Sequence, residues 1–429
     1  MPNPLLATLT GLRGNPRACV YTEPLWGLSV NLFLPYASVY MVALGLGDAQ
    51  IGLIASAGML VQVAAGVLGG VITDKLGRRP TTAIFDVLAW CVPCLMWFAA
   101  SFVAPQMVFW AFLGASIVNS SLQISQNAWD CLMVEDADRE QLPRIYSLVM
   151  VAGHLSALFA PISATLVVHF SLMTALRILY VNAAVVMLAK IVWLYLWSHE
   201  TGTGAVRMAQ TKGVSVWRLI GGYGGVLQII RRSPGTIFAL AVAALVGAVN
   251  SVNGTFWQII VNQKLLVPVG LLPFFPMARS LLAILFFFTV IHRVTGSSRF
   301  KVPLLGGFAA YLVGQVVISS LPAAAGGPTV YTYLLLGVSV LFDSFGVGML
   351  AMLAEALVAL AVDKAERSRV MAVQRTVVML SIAPFGWVAG LLSDVDRSLP
   401  FVMTSALMVI GLVITQWRFR GRPQIENLA

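Results

Sequence analysis

The chain has 429 residues, of which 59% are hydrophobic and only 10% charged, with a mean hydropathy of +0.87. A soluble domain carries about 25% charged residues, so this composition excludes a water-soluble globular protein and leaves room for about a dozen lipid-facing spans of about 20 residues. The net charge of +10 is scattered over short loops between apolar runs, which favours a positive-inside bias over a surface for nucleic acid.

Apolar runs broken by Gly, Pro and charge predict twelve spans, at about 18–44, 49–73, 80–103, 106–131, 144–169, 171–197, 235–262, 266–292, 301–321, 329–355, 370–393 and 398–418. The first run lacks a small-residue cleavage site and merges into a full span, so no cleaved leader is expected. Between the sixth and seventh spans lies the longest polar stretch, 199–234. It is rich in Gly and basic residues and carries Trp217, Leu219, Ile220, Val226, Ile229 and Ile230, a pattern that predicts a linker with a short surface-lying helix. The expected organisation is a six-helix bundle over 1–198, a linker over 199–234 and a second six-helix bundle over 235–429. An even number of spans puts both termini on one side. Most Lys and Arg fall on that side, including Arg207, Lys212, Arg218, Arg231 and Arg232 of the linker, whereas the opposite loops hold little beyond Lys264 and Arg397. Both termini are therefore expected in the cytoplasm, and the fold class is an all-α integral membrane protein.

An internal repeat supports the two halves. Asp130, Asp138, Arg139 and Arg144 recur as Glu355, Asp363, Lys364 and Arg369 at a constant offset of 225 positions, and Ala160-Pro161 corresponds approximately to Ala383-Pro384. The four cysteines are Cys19, Cys91, Cys94 and Cys131. Cys91 and Cys94 form a C-x-x-C in the middle of an apolar run with no second pair, which reads as small packing residues rather than a metal or redox site.

The second and third spans are joined by Gly70-Val-Ile-Thr-Asp74-Lys75-Leu-Gly77-Arg78-Arg79. Asp74 sits at a helix C-terminus, where the dipole disfavours an acid, so it needs a cation or another helix N-terminus. Gly77 allows a turn that a side chain would hinder, and Gly70 permits close helix approach. The pattern G-x-x-x-D-[RK]-x-G-R-[RK] resembles the loop between helices 2 and 3 of major facilitator superfamily transporters. In that family the loop locks the two halves together when the cavity opens outward, against an acid late in helix 4 and the start of helix 11. The resemblance implies a cytoplasmic gate of Gly70, Asp74, Gly77, Arg78 and Arg79 with Asp130. Glu355 is the repeat counterpart of Asp130, and Arg375 is matched to helix 11 by location. The plainer alternative makes Arg78 and Arg79 topology signals only. The corresponding second-half loop, Arg293-Val-Thr-Gly296-Ser-Ser-Arg299, keeps the glycine but lacks the acid, so a one-sided lock is expected.

Charge in mid-span needs a partner or a water-filled cavity, since it costs about 2.5–3.5 kcal/mol on insertion scales. Arg279 lies near the centre of the eighth span, among Pro268, Pro273 and Pro276, and Asp343 near the centre of the tenth. At similar depth in one half they form a candidate pair that responds to substrate or protons, or a structural ion pair. His154 suits proton exchange or hydrogen-bonded packing. Lys190 is expected to snorkel, and Glu23 and Asp86 to serve the gate or the structure. Asn119, Gln123, Gln126, Asn127 and Asp130 form a polar stripe on the fourth span, Asn250, Asn253 and Trp257 one on the seventh, and Asn31 lies midway along the first. Such stripes can glue helices. In the resembling family, however, helices 1, 4, 7 and 10 line the central cavity, which implies a polar or amphipathic small-molecule substrate here.

Drug–proton antiporters of that superfamily carry a helix 5 pattern that Ser156, Ala160, Pro161, Ala164 and Thr165 resemble loosely, with every glycine replaced, and a helix 4 arginine absent here. Sugar-porter signatures are missing apart from Glu200-Thr201. No G-x-x-x-x-G-K-[ST] loop is present for an ATP-driven pump. The expectation is a secondary transporter working by alternating access, coupled to a proton or another ion, with export of drugs or metabolites left open. It has no catalytic residue, metal or cofactor. Its partners are a small-molecule substrate, membrane lipid and a coupling ion, with no nucleic acid, in a monomer of the cell membrane. The alternatives are a polytopic enzyme acting on a lipid or isoprenoid and a sensor built on a transporter fold.

Overall fold

In the computed structural model of the chain, residues 4–138, 140–215, 234–286, 289, 300–324, 326–361 and 367–420 are described, with side chains for all of these except 4–7, 355–356, 358–361 and 367–374. The loop Arg293–Arg299, the apolar linker residues from Trp217 to Ile230, Asp363, Lys364 and the side chains of Glu355 and Arg369 lie outside that description.

The described chain is helical and divides into two compact units, one of Met1–Leu44 with Ala57–Gly221, the other of Gly45–Ser56 with Gly222–Ala429. In chain order the α-helices are α1 (Pro4–Gly11), α2 (Gly14–Phe33), α3 (Ala37–Ala43), α4 (Asp48–Leu76), α5 (Arg78–Asp86), α6 (Val92–Ala99), α7 (Pro105–Asn119), α8 (Leu122–Val134), α9 (Leu142–Ala157), α10 (Ile162–Trp197), α11 (Gly202–Thr211), α12 (Pro234–Ile259), α13 (Phe274–Phe286), α14 (Lys301–Ser320), α15 (Val330–Ala361), α16 (Arg367–Val395) and α17 (Leu399–Arg418). A π turn at Val87–Cys91 joins α5 to α6. Among the described residues, eleven helical stretches are long and apolar enough to cross a membrane.

The difference from twelve arises at the fifth and sixth expected spans. Ile162–Trp197 holds two helical segments that meet at a kink, with Ser171 at φ 71, ψ 159 between them. That conformation breaks helical geometry in a single residue with no Gly or Pro to announce it. Upstream, α9 stops at Ala157 and Pro161 caps the entry to α10. The fourth expected span is likewise interrupted, at Ser120-Ser121, where the Ser120 hydroxyl donates to the Gly58 carbonyl oxygen at 2.8 Å. The same hydroxyl also reaches the Ser116 carbonyl oxygen at 2.9 Å, so it is met both by its own helix and by α4.

Within the first unit, α9 and α10 pack on α2, and α5 packs on α8. Phe33, Tyr40, Trp97, Phe112 and Tyr180 interlock at ring separations of 5.2 to 6.2 Å. Within the second, α14 packs on α15 and α17, and α12 on α15 and α16. Small residues set these approaches, as expected where lipid removes any hydrophobic drive between helices. A Cβ on Gly346 of α15 would lie 2.6 Å from the Tyr311 Cβ of α14. Large apolar side chains such as Trp110, Val168, Val338 and Trp417 are exposed, and lipid contact accounts for them. One expectation is corrected outright. Lys190 does not snorkel: it is 4% exposed and its Nζ lies 3.1 Å from Asp86 Oδ2, because its helix face turns toward α5 rather than toward the surface.

Candidate functional site

Two polar centres stand out, one in each unit. In the first, α4 ends at Leu76 and Gly77 takes φ 92, ψ 162, a region open in practice to glycine alone. This turn delivers Arg78 and Arg79 as the first residues of α5, whose free N–H groups need acceptors. Glu200 supplies them: Arg78 N donates to its Oε1 at 2.9 Å and Arg79 N to its Oε2 at 3.1 Å. The carboxylate also sits where the helix dipole favours negative charge. The Arg78 side chain is 4% exposed and bridges two acids, with Nη1 3.0 Å from Asp74 Oδ1 and Nη2 2.9 Å from Glu135 Oε1.

The surrounding residues tie this centre to α11. Thr201 donates to Glu135 and accepts the Gly204 N–H that starts α11, and Thr211 at the end of α11 donates to the Asp74 carbonyl oxygen at 3.0 Å. Arg79 stacks on the Tyr195 ring at 3.9 Å and donates to its carbonyl oxygen. A Cβ on Gly77 would meet Glu200 Oε2 at 2.6 Å and Met208 Sδ at 2.9 Å. Glu200 is pinned by two backbone donors and cannot easily yield. Gly77→Ala is therefore expected to cost about 1–3 kcal/mol of stability, read as a lower unfolding midpoint in detergent; an unchanged midpoint would contradict this account of the turn.

The family resemblance implies Asp130 as the acid for this loop. The structure places Asp130 one helical turn from Gln126, whose Nε2 donates to it at 2.9 Å, and sets Glu135 against Arg78. By sequence, Glu135 and Tyr195 have no role at this loop and Glu200-Thr201 is only a trace of a sugar-porter signature, although Thr201 before Gly202 carries a helix N-cap signal. The close approach of α4 falls at Gly69, where a Cβ would be 3.3 Å from the Gln123 carbonyl oxygen of α8, and Gly70 is its neighbour. Arg375 is exposed on α16.

In the second unit the centre lies within the apolar spans. Asp343 on α15 is 2% exposed, and Arg279 on α13 places Nη2 3.6 Å from its Oδ2. Gly314 on α14 makes room for this acid, since a Cβ there would be 2.2 Å from Asp343 Oδ1. From the next position of α14, Gln315 donates through Nε2 to Asp343 Oδ1 at 2.9 Å, and its own Oε1 accepts from Thr404 on α17 at 2.8 Å. The Arg279 guanidinium lies 4.3 Å over the Trp257 ring, which meets Phe275 edge-on. Beside it, Asn253 donates to the Tyr311 hydroxyl at 3.0 Å, and Tyr311 donates to Asn250 Oδ1 at 2.8 Å.

This network is closed on one side and open on the other. Asp343 Oδ1 is hydrogen-bonded, but Asp343 Oδ2, Arg279 Nε and Nη2, Trp257 Nε1 and Asn253 Oδ1 are buried without a hydrogen-bond partner among the described residues. Arg279 and Asp343 attract as charges while standing just beyond hydrogen-bond length. Buried polar atoms left unmet are rare and point to a ligand, water or strain. Sequence reasoning found Arg279, Asp343, Asn250, Asn253 and Trp257 but not Gln315, Thr404 or Tyr311, whose types alone say nothing of direction.

The remaining candidates bond locally or to neighbouring helices. Asn31 donates to the Gly27 carbonyl oxygen at 2.7 Å on its own helix, Asn119 to that of Ala89 at 2.6 Å, and Gln123 to Gln62 Oε1 at 3.3 Å. Asn127 and His154 are half-buried on α8 and α9.

Stacked apolar spans that bury ionic and amide groups in their interior define a polytopic membrane protein. The chain belongs to the Major Facilitator Superfamily, whose profile matches residues 25–340. Its fold is similar to the nucleoside transporter NupG, with a TM-score of 0.72, 14% identity, and 95% of this chain and 100% of that one covered. It is also similar to the inward-open xylose transporter XylE from E. coli, with a TM-score of 0.70, 13% identity and 96% and 98% covered. A POT family transporter in complex with 5-aminolevulinic acid aligns with a TM-score of 0.66, 14% identity and 95% and 98% covered. No curated protein sequence matches the chain. At these identities the structural likeness speaks for the fold.

Proposed function

We propose that this chain is a secondary active transporter of a small polar solute, working by alternating access between two six-helix halves, with twelve crossings and both termini cytoplasmic. Ser171 supplies the twelfth crossing by dividing Ile162–Trp197. The observation that carries the substrate reading is the pair Arg279–Asp343, held in place by Gln315 and Thr404 yet left with unmet donors and an unmet acceptor. A solute offering both a hydrogen-bond acceptor and a donor satisfies both sides of the pair, and the Trp257 face supplies an apolar wall for its ring or chain. Nucleosides, pentoses and small zwitterions have this chemistry, and the neighbours of similar fold are described as nucleoside, xylose and peptide transporters. Ion coupling fits the energetics, since 100 mV supplies about 2.3 kcal/mol per charge moved.

The loop centre at Gly77 is proposed as the cytoplasmic gate element. Asp74, Arg78 and Arg79 are held ready by Glu135 and Glu200, and Asp130, Glu355 and Arg375 are assigned to the same end of the molecule. The test is uptake by proteoliposomes of nucleosides, pentoses and short peptides under imposed pH and voltage gradients. Accumulation of at least one solute against its gradient is expected. Absence of any gradient-driven uptake across the panel would overturn the reading.

A further inference from the structure

The first unit contains a second buried ionic group. Asp86 of α5 and Lys190 of α10 pair at 3.1 Å with side chains 6% and 5% exposed. Together with Glu23 of α2 they line a cavity of about 50 Å³ whose walls include Trp26, Trp90 and Trp129. Trp26 and Trp90 meet edge-on at 5.8 Å. Trp129 is 7% exposed, and its indole Nε1 is buried with no hydrogen-bond partner among the described residues.

Size and charge narrow what this cavity can take. Solute sites run to about 300–1,000 Å³, so it is too small for a metabolite, whereas a water needs only about 10–15 Å³ of such space. Lys190 is hydrogen-bonded to Asp86 and its charge also acts on Glu23, so a single cation serves two acids there. Asp130 of α8 adds further negative charge nearby, and Cys19 stands one turn away on α2. Ionised carboxyls in membrane interiors need a partner, and the Trp129 N–H offers a donor to an oxygen at the same spot.

We propose that Glu23 is the proton-carrying residue of the first unit, exchanging one proton with water in the cavity it shares with Trp129, beside the fixed Lys190–Asp86 pair. Uptake converts the Glu23 carboxylate and a hydronium ion to the carboxylic acid and water, and release reverses it. Linking that proton to solute movement rests on the transporter reading above; proton exchange at Glu23 does not.

The experiment labels the wild-type protein in lipid bilayers with dicyclohexylcarbodiimide, which reacts with protonated carboxyls in apolar sites, and locates adducts by peptide mass spectrometry. Labelling is expected on Glu23, with Asp86 spared, and is expected to fall about tenfold per pH unit once the carboxyl ionises. Adducts on Asp86 instead, or Glu23 labelling that ignores pH or never occurs, would overturn the proposal. Protection of Glu23 by sodium chloride but not choline chloride at fixed pH would overturn it too, assigning an alkali-cation site. No transported solute is needed, so failure here leaves the transporter reading standing, and the reverse also holds.

Discussion

Asp343→Asn is expected to lower unfolding stability by about 3–5 kcal/mol and to stop solute movement. The substitution keeps the shape and an acceptor for Gln315 but removes the charge facing Arg279, whose Nε and Nη2 already have no hydrogen bond among the described residues. An unpaired guanidinium in apolar surroundings is among the largest single penalties a helix bundle can carry. The double substitution Arg279→Met with Asp343→Asn separates structure from function. Removing both charges is expected to recover most of the lost stability, because buried pairs are often neutral against apolar replacements, while transport stays absent. Thermal unfolding followed by tryptophan fluorescence, with solute flux on the same variants, reads both quantities. A single variant as stable as the wild type would refute the energetic account, and a double variant that transports normally would reduce the pair to structural glue.

The second large effect is expected at Arg78. Arg78→Met strips Glu135, which is 14% exposed, and Asp74 of their shared cation, and a loss of about 3–5 kcal/mol follows. Arg78→Lys is expected to recover only part of it, since an ammonium cannot span two carboxylates as a planar fork does. Adding Glu135→Gln to Arg78→Met should restore stability by removing the stranded charge. Unfolding midpoints of the four proteins decide the matter, and equal midpoints for Arg78→Lys and the wild type would show that fork geometry is unimportant there.

The parts of this molecule legible in the sequence are those where a residue's type constrains its backbone or its depth. Gly77 was legible because a glycine between two charged segments marks a turn, and the structure puts it at φ 92. Arg279 and Asp343 were legible because charge is scarce in apolar runs. Direction around a helix was not. Lys190 is near a span end by sequence, which suggested snorkelling, yet its helix face turns it inward to Asp86. Glu135 and Asp130 lie five residues apart on one helix end, and only the three-dimensional entry of Arg78 selects Glu135. Gln315, Thr404 and Trp129 matter through the atoms they face, which no spacing reveals. Ser171 breaks α10 through a backbone angle that its side chain does not favour, so its role could not be read in advance either.

Solute counterflow in proteoliposomes, comparing the wild type with Asp343→Asn on whichever polar solute the panel identifies, tests the central claim most directly. The account predicts exchange by the wild type with no ATP present, and a rate at least about tenfold lower in the variant, the equivalent of ~1.4 kcal/mol. Counterflow by Asp343→Asn at the wild-type rate would contradict it.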